Sequence, residues 1–138
     1  MADEESLSEA FWSVARRLRH RTRVALEPWD LSPSLARALS VLSHHGDLRL
    51  SSLAEHLHIA ARTATEVADD LAGRGLADRR PDPDDRRATL LSLTPEGVST
   101  AEAIKAARQA GSERFFAGLT GADRDELARL LRKLRDDG

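Results

Sequence analysis

The sequence predicts a mainly α-helical fold that carries one small β-hairpin, and three observations support this. Apolar residues recur every three or four positions over most of the 138-residue chain, as they do along the buried face of an α-helix. Serine or threonine followed by proline, a common helix start, occurs at Ser32-Pro33 and Thr94-Pro95. Between these two starts, one segment alternates apolar and polar residues beside a proline-rich turn, which predicts the hairpin.

The N-terminal third of the chain predicts two helices. Helical spacing of apolar residues indicates an amphipathic helix over about residues 5–27, which ends before Pro28 because the residue preceding a proline disfavours helical geometry. Ser32 then has the features of an N-cap residue, and the second helix continues to about His45. Gly46 follows and predicts the end of that helix.

The middle of the chain predicts two short helices in close succession. A short alternating segment, Leu48–Leu50, precedes Ser52 and Glu55, which are spaced as in a capping box and predict the start of a brief third helix. A fourth helix is expected from about Arg62 to a glycine at Gly73. Two short helices joined this closely predict a helix-turn-helix.

The hairpin and two further helices complete the predicted fold. Strands over residues 76–80 and 86–93 flank a polar turn at residues 81–85. A long helix is expected over about residues 94–119, and Thr120 starts the last helix, whose leucines fall on one stripe. The complete order is that of a winged helix-turn-helix framed by N- and C-terminal helices.

Composition excludes several classes of function. The chain contains no cysteine, so disulfides, thiol nucleophiles and thiolate metal sites are ruled out. It has neither a glycine-rich phosphate loop nor the residue spacing of a hydrolase triad or a metal site, so we expect neither an enzyme nor a bound cofactor. The acidic N-terminus and the lack of a long apolar run predict a cytoplasmic protein that does not enter a membrane.

Net charge gives no general indication of a nucleic-acid partner. The chain holds 21 lysines and arginines against 23 aspartates and glutamates, for a net charge of −2 and a pI of about 6.2. Basic residues are concentrated locally instead. Five arginines lie between Arg16 and Arg23 without an acid, and arginine pairs at residues 79–80 and 86–87 flank the predicted turn.

The sequence of the helix-turn-helix and hairpin resembles a known family. The stretch LSSLAEHLHIAARTATEVADDLAGRGLADRRPDPDDRRATLLSLTPEG, residues 50–97, is similar to the core of the multiple-antibiotic-resistance regulator (MarR) family, most specifically at GRGLADRRPDPDDRR and LSLTPEG. The similarity extends over about residues 31–97. It implies an N-terminal dimerisation helix over residues 1–30, a DNA-binding domain over residues 31–95 and C-terminal dimerisation helices over residues 96–138.

The resemblance implies a homodimer that binds a pseudo-palindromic double-stranded DNA operator, usually as a repressor. Many members of the family release DNA when a small aromatic or phenolic ligand binds. In this family an Asp-x-Arg pattern, here Asp85 and Arg87, marks the wing tip, so Arg87 and its neighbour Arg86 are the first candidates for DNA contacts. A narrow minor groove attracts arginine, and we expect Asp85 to orient Arg87 through a two-pronged charge-assisted hydrogen bond. The alternative is a solvated charged turn in an ordinary hairpin.

The start of the fourth helix is the second candidate DNA site. Arg62, Thr63 and Thr65 fall where base or phosphate contacts are expected. Glu66 stands where a basic residue is common in the family, and it either accepts a hydrogen bond from a cytosine or is a solvated carboxylate. Residues 62–87 hold six arginines and seven acids, so bulk charge does not drive DNA binding. The alternative hypothesis is a ligand- or partner-binding protein on the same scaffold with weak DNA affinity.

Trp12, Arg16 and His20 are candidate ligand-binding residues on the first helix. One turn separates Arg16 from His20, so both lie on one face of the helix, close to the stripe of Trp12. A cationic and aromatic wall between this helix and the helix-turn-helix would suit an anionic aromatic ligand. The competing interpretations are a solvated arginine face and a tryptophan that belongs to the dimer core.

The histidines do not predict a metal site. His44 and His45 are adjacent, so their side chains point about 100° apart on a helix, and His56 and His58 straddle a helix end. Histidines near a helix C-terminus interact favourably with the helix dipole, which is the simpler explanation for their positions. Metal sensing is the lesser alternative.

Overall fold

Six α-helices, one 3₁₀ helix and three strands form the regular structure of residues 4–137, the part of the chain described by this computed structural model. The helices are α1 (Leu7–Leu26), the 3₁₀ helix (Glu27–Trp29), α2 (Pro33–His45), α3 (Leu50–Leu57), α4 (Ala61–Gly73), α5 (Pro95–Phe115) and α6 (Gly121–Asp136). The strands are β1 (Leu48–Arg49), β2 (Ala77–Asp82) and β3 (Asp85–Leu93). The predicted mainly helical fold with a small wing is therefore confirmed. Residues 1–3 and 138, at the ends of the predicted dimerisation segments, lie outside the described residues.

Side-chain caps start three of the helices as predicted. The hydroxyl groups of Ser32, Thr94 and Thr120 each accept a hydrogen bond, at 3.0 to 3.2 Å, from the backbone N–H three residues further on. Each bond satisfies an N–H group that has no partner within its helix, and such a cap contributes about 1 kcal/mol. The starts of α2, α5 and α6 are thus determined by the sequence around these three residues.

Two predicted helix boundaries are wrong. The capping box expected at Ser52 is not the start of α3, which begins at Leu50 with Arg49 as its N-cap residue and no capping side chain. The chain passes directly from strand β1 into α3, so Ser52 lies within the first helical turn. At the other end of the chain, α5 ends at Phe115 rather than at Leu119, because the following residues turn towards the cap of α6.

The wing is part of a three-stranded antiparallel sheet in the order β1-β3-β2. The predicted hairpin pairs β2 with β3, and β1 adds a third strand that the alternating segment before α3 only suggested. Pairing continues to Asp82 opposite Asp85, across a register shift between Pro81 and Asp82. The predicted five-residue turn is therefore shorter, since Pro83 and Asp84 alone lie between the strands.

The core lies among helices α1 to α5 and the sheet. Five leucines, one each from α1, α2, α3, α4 and β3, are the largest fully buried side chains: Leu26, Leu39, Leu53, Leu71 and Leu91. Truncating such a leucine to alanine typically costs about 2–5 kcal/mol. Because α4 is held by its buried face, its opposite face is presented to solvent in a fixed orientation.

A close contact joins the start of α5 to the base of the wing. The hydroxyl of Thr94 donates a hydrogen bond to the carbonyl oxygen of Gly75 at 2.7 Å, and the N–H of Thr94 donates to that of Leu76 at 3.1 Å. A Cβ atom at Gly97 would lie 1.9 Å from the Leu76 carbonyl oxygen, so this position requires glycine. The helix predicted to serve dimerisation therefore starts directly against the predicted DNA-binding domain.

Helices α1 and α6 expose large apolar side chains. Those with the most exposed surface are Leu7, Phe11, Trp12, Val14, Val24, Leu130, Leu131 and Leu134. α1 packs against α5, whereas α6 has no buried residue among those described. Apolar faces of this extent are typical of subunit interfaces. None of the described helices combines the length and apolar composition needed to cross a bilayer.

Candidate nucleic-acid interface

The helix-turn-helix exposes one face of α4. The turn between α3 and α4 passes through His58, whose φ of 55° lies in the left-handed region, and Arg37 donates a hydrogen bond from Nη2 to the carbonyl oxygen of Leu57 at 3.3 Å. The side chains predicted to contact DNA from α4 are all exposed: Arg62, Thr63, Thr65 and Glu66. The structure therefore brings these four residues together on the outer face of the first turns of α4.

The N-terminus of α4 is not capped by a side chain. The N-cap residue is Ala60, which has no hydrogen-bonding side chain, whereas α1, α2, α5 and α6 begin with serine or threonine caps. The first N–H groups of an α-helix have no hydrogen-bond acceptor within the helix, and they carry a partial positive charge. An uncapped and exposed helix start of this kind is suited to bind a phosphate group.

Ion pairs neutralise much of the negative charge on α4. Asp69 pairs with Arg79 of β2, and Asp70 Oδ1 lies 2.8 Å from Arg74 Nε. Glu66 is the third acid of this helix, and it lies 3.9 Å from Arg62 in a highly exposed pair. Each of the three acids of α4 is therefore paired with an arginine, and the one-acid excess counted over residues 62–87 does not lie on α4 itself.

Two of these arginines also connect α4 to other elements. Arg74, at the end of α4, donates a second hydrogen bond from Nη1 to the backbone carbonyl oxygen of Asp30 at 2.9 Å, directly after the 3₁₀ helix. Arg79 joins the base of the wing to α4 through its pair with Asp69. The helix that would read DNA is thus linked both to the wing and to the segment between the 3₁₀ helix and α2.

The wing tip carries the predicted arginines in an exposed position. The side chain of Arg87 is 96% exposed, and Arg86 is exposed beside it. The predicted two-pronged bond from Arg87 to Asp85 is not formed, since Arg87 Nε lies 4.0 Å from Asp85 Oδ1. That carboxylate oxygen accepts instead the backbone N–H of Arg87 at 3.0 Å, a turn-type bond common for aspartate. Asp85 therefore holds the backbone of the wing tip by a hydrogen bond, while the guanidinium group of Arg87 stays exposed at 4.0 Å from the carboxylate.

Asp82, which the sequence did not single out, is the buried carboxylate of the wing. It is 6% exposed, its Oδ2 lies 2.6 Å from Arg49 Nε, and its Oδ1 accepts the N–H of Asp84 at 2.8 Å. These interactions, first the Asp84 N–H and then the Arg49 guanidinium, lower the pKa of Asp82 although burial opposes them. The Asp-Pro-Asp pattern of a tight turn is visible in the sequence, but the pairing with Arg49 is not.

Comparisons with known proteins agree with this arrangement of α4 and wing. A model of the MarR family matches residues 31–89, which extend from just before α2 into β3. The transcriptional repressor MdtR of Bacillus subtilis is 32% identical over 110 residues, which cover 80% of this chain and 71% of MdtR. The chain belongs to the MarR family.

Two further proteins are similar to this MarR-family chain. An uncharacterised helix-turn-helix transcriptional regulator of Mycobacterium leprae is 36% identical over 130 residues, which cover 94% of this chain and 85% of that protein. The solved structure of Bordetella bronchiseptica BpsR, whose DNA binding is regulated by 6-hydroxynicotinic acid, is 25% identical with a TM-score of 0.77, covering 99% of this chain and 97% of BpsR. MarR-family proteins are DNA-binding regulators of transcription, not enzymes. The predicted family and the expectation of no enzymatic activity are confirmed.

The candidate ligand residues on α1 are all exposed in this MarR-family chain. Arg16 and His20 line a shallow hollow of about 440 Å³, but Trp12, which is 56% exposed, does not line it. α1 packs against α5, where Arg17 and Arg21 each lie 5.8 Å from the ring centre of Phe115. The expected wall between α1 and the helix-turn-helix is therefore not formed within one chain, and the ligand-binding role stays a prediction.

A larger cavity, of about 490 Å³, lies between α2 and α5 and was not predicted. Its apolar part is lined by Ala36, Leu39, Ala101 and Ile104, and its polar part by Ser40, Ser43, His44, Lys105, Arg108 and Gln109. Among the described residues, Arg108 Nε is buried without a hydrogen-bond partner, and burial lowers the pKa of Arg108. A cavity of this size that combines apolar and cationic side chains is suited to a small amphipathic anion.

Three histidines cluster where α2 meets α3, another feature that sequence reasoning missed. The rings of His45 and His56 are stacked with centres 4.2 Å apart, and His44 meets His45 edge-on at 4.7 Å. Desolvation first, and then the nearby His56 and His44, lower the pKa of His45. Within residues 4–137, no group of three histidine, aspartate or glutamate side chains has the geometry of a metal site.

Proposed function

We propose that this MarR-family chain is a cytoplasmic, homodimeric repressor that binds a pseudo-palindromic double-stranded DNA operator. In this proposal residues 31–95 bind DNA, while residues 1–30 and 96–138 form the subunit interface. The observation that carries the proposal is the combination of two exposed contact elements, the uncapped start of α4 and the exposed Arg87 at the wing tip. The ion pair between Asp69 and Arg79 joins α4 to the wing, so both elements are held on one unit.

Each contact element has a defined role in this proposal. The start of α4, with Arg62, Thr63 and Thr65, enters the major groove and contacts bases and phosphates, and Glu66 accepts a hydrogen bond from a cytosine amino group. At the wing tip, the arginine pair at residues 86–87 enters the adjacent minor groove, and the carboxylate of Asp85 keeps the backbone there in place. Two such units in a symmetric dimer read half-sites about 34–36 Å apart.

The exposed apolar faces of α1 and α6 support the homodimer. Phe11 and Trp12 of α1 and Leu130, Leu131 and Leu134 of α6 leave apolar surface in water that a second copy of the chain would cover. An obligate interface of this kind buries about 2,000 Å² or more in total. The repressor role is supported by the relationship to MdtR, which is described as a repressor.

Release of DNA by a small anionic aromatic ligand completes the proposal. Cationic side chains line both the hollow on α1, with Arg16 and His20 beside Trp12, and the cavity between α2 and α5, with Arg108. The regulation of BpsR by 6-hydroxynicotinic acid supports a ligand of this class. Such a ligand weakens DNA binding only to the extent that it binds the DNA-free conformation more tightly.

Selection from a random pool of DNA duplexes tests the DNA-binding role and identifies the operator sequence in the same experiment. The protein is incubated with the pool, bound duplexes are amplified and sequenced, and the enriched sequence is measured by fluorescence anisotropy. Enrichment of a two-fold symmetric sequence supports the proposal. Failure to enrich any sequence, or a monomeric mass by light scattering in the same buffer, would contradict it.

A ligand- or partner-binding protein with weak DNA affinity is the second candidate function. It is favoured by the acids of residues 62–87, most of which are exposed: Glu66, Asp69, Asp70, Asp78 and Asp84. The two functions are separated by the selection experiment together with tryptophan fluorescence. Quenching by salicylate without enrichment of any duplex would favour this second function.

A further inference from the structure

An ion pair connects the wing tip to the start of the helix-turn-helix. Arg49 is the last residue of β1 and the N-cap residue of α3, and Asp82 is the last residue of β2, next to the wing turn. Their side chains meet at 2.6 Å between Nε and Oδ2. We call this pair the wing brace.

The wing brace crosses the sheet diagonally. Arg49 and Arg80 both pair with Leu90 of β3, so these three residues form one row across the sheet in the order β1-β3-β2. Asp82 lies two residues beyond Arg80 towards the tip. The side chain of Arg49 therefore spans from one edge strand, past β3, to the far end of the other edge strand.

The carboxylate of Asp82 is fully engaged at this position. One oxygen accepts from Arg49 and the other accepts the N–H of Asp84 in the turn. With 6% of its surface exposed, this carboxylate would be costly to bury without such partners. The low pKa of Asp82 keeps it ionised at neutral pH, so the ion pair persists under the conditions of DNA binding.

The residue that faces DNA in the proposed function depends on this support. Arg87 is 96% exposed, and Asp85 holds only the backbone N–H of Arg87 and not its guanidinium group. A two-stranded hairpin by itself is marginally stable, and a contact residue at its end loses much conformational freedom when it binds. An ion pair between the wing tip and the start of α3 restricts the wing tip in the free protein, so less conformational freedom is lost on binding.

We infer that Arg49 and Asp82 are positioning residues for DNA binding. The wing brace holds the hairpin at a fixed angle to α3 and α4, so that Arg87 reaches the minor groove when α4 occupies the major groove. This inference rests on the proposed function, and it assigns the aiming of Arg87 to Asp82 and Arg49 in addition to Asp85.

A double-mutant cycle on operator binding tests this inference. Arg49→Met keeps the apolar stem of the side chain and removes the cation, and it is measured in the wild-type and in the Arg87→Ala background on a duplex selected by the wild-type protein. We expect Arg49→Met to weaken binding about tenfold in the wild type and less than about twofold in the Arg87→Ala background, because Arg49 acts through Arg87. Equal losses in both backgrounds would overturn the inference, since they would mean a direct contact of Arg49 with phosphate.

Two further variants separate the brace from bulk charge. Arg80→Met removes an equal charge from the same row of the sheet without touching the brace, so we expect its effect to be the same in both backgrounds. Asp82→Asn removes a negative charge near a polyanion, which bulk electrostatics predicts to tighten binding. We expect weaker binding instead, and tighter binding by Asp82→Asn would overturn the inference.

Hydrogen exchange of the free protein measures the brace independently of DNA. Arg49→Met should speed the exchange of the backbone N–H groups of Asp84 and Arg87, which bond to the carboxylates of the wing tip, while those of α3 and α4 stay protected. Unchanged exchange at the tip would overturn the brace whether or not the protein binds DNA. A wild-type protein that selects no duplex would overturn the proposed function, and with it the role in binding, even where faster exchange showed that the brace exists.

Discussion

Replacing Arg87 by alanine tests the proposed wing contact without disturbing the fold. The variant removes a side chain that is 96% exposed and whose Nε lies 4.0 Å from Asp85. Exposed pairs of this kind contribute little, so we expect the free energy of unfolding to change by less than about 0.5 kcal/mol. The backbone N–H of residue 87 still donates to Asp85, so the wing turn is retained.

The expected effect on DNA binding is large by comparison. Loss of one arginine contact in a DNA groove costs about 1–3 kcal/mol. Because the proposed dimer has two wings, Arg87→Ala should cost about 2–6 kcal/mol, which corresponds to an increase in Kd between about 30-fold and about 25,000-fold. The dependence of log K on log salt concentration should fall by about two, one for each wing.

Fluorescence anisotropy with a labelled, selected duplex measures both quantities in one salt titration. Arg135→Ala is the matched control, since it removes the same charge from an exposed position on α6. Its affinity for the duplex should stay close to that of the wild type. A folded Arg87→Ala protein that binds as tightly as the wild type would refute the wing contact and leave an ordinary exposed hairpin.

Asp85→Ala is a second arm of the same titration. Removing a carboxylate near a polyanion should tighten binding if bulk charge decides. We expect weaker binding, because Asp85 holds the backbone N–H of Arg87 at 3.0 Å and thereby orders the wing tip. Tighter binding by Asp85→Ala would show that this bond does not contribute to DNA recognition.

Four further predictions concern α4, the dimer, the ligand and pH. Thr65→Ala should change the sequence that is enriched from a random pool more than it changes the salt dependence, since base contacts specify; an unchanged sequence would remove Thr65 from readout. Leu134→Glu should shift the mass measured by light scattering from dimer to monomer at micromolar concentration, and a monomeric wild type would contradict the dimer. Salicylate should quench tryptophan fluorescence and weaken duplex binding together. Loss of both effects in Arg108→Gln but not in Arg16→Ala would favour the cavity between α2 and α5 as the ligand site. Loss of both effects in Arg16→Ala but not in Arg108→Gln would favour the hollow on α1. Because folding lowers the pKa of Asp82, the wild type should have a larger free energy of unfolding than Asp82→Asn, and this advantage should be full above the ordinary aspartate pKa of 3.8. It should be lost as the pH falls through the lower pKa of the folded state. Urea unfolding at pH 7 and at acidic pH measures the difference, and an advantage that does not shrink in acid would contradict this prediction.

Local sequence signals predicted most helix starts correctly. Ser32 and Thr94 are followed by proline, and Thr120 stands three residues before an acid, so each start is determined by neighbouring residues. Ser52 has a similar local signal and yet does not start α3. Pairing of β1 with β3 carries the strand up to Arg49 and α3 follows directly, so the N-cap residue is Arg49, three residues before Ser52.

The exposure of the candidate DNA-binding residues was predictable from the local sequence, whereas the contacts between different helices and strands were not. Residues 62–66 follow a helix-turn-helix pattern, and the arginines at residues 86–87 follow a turn, so their exposure could be expected from the sequence. The cavity with Arg108 lies between α2 and α5, and His45 of α2 stacks on His56 of α3. Nothing in the local sequence pattern of one helix indicates which other helix packs beside it.

The sequence by itself determined the order of the elements, the helix-turn-helix with its wing, and the family, because periodicity, caps and turn residues act over a few neighbouring positions. Only the tertiary structure decided which charges pair between different helices and strands. Asp69 pairs with Arg79 ten residues away, and Asp82 pairs with Arg49 thirty-three residues away. A carboxylate is solvated or paired according to which helix or strand is packed beside it, and that neighbour is set by the fold rather than by the adjacent sequence.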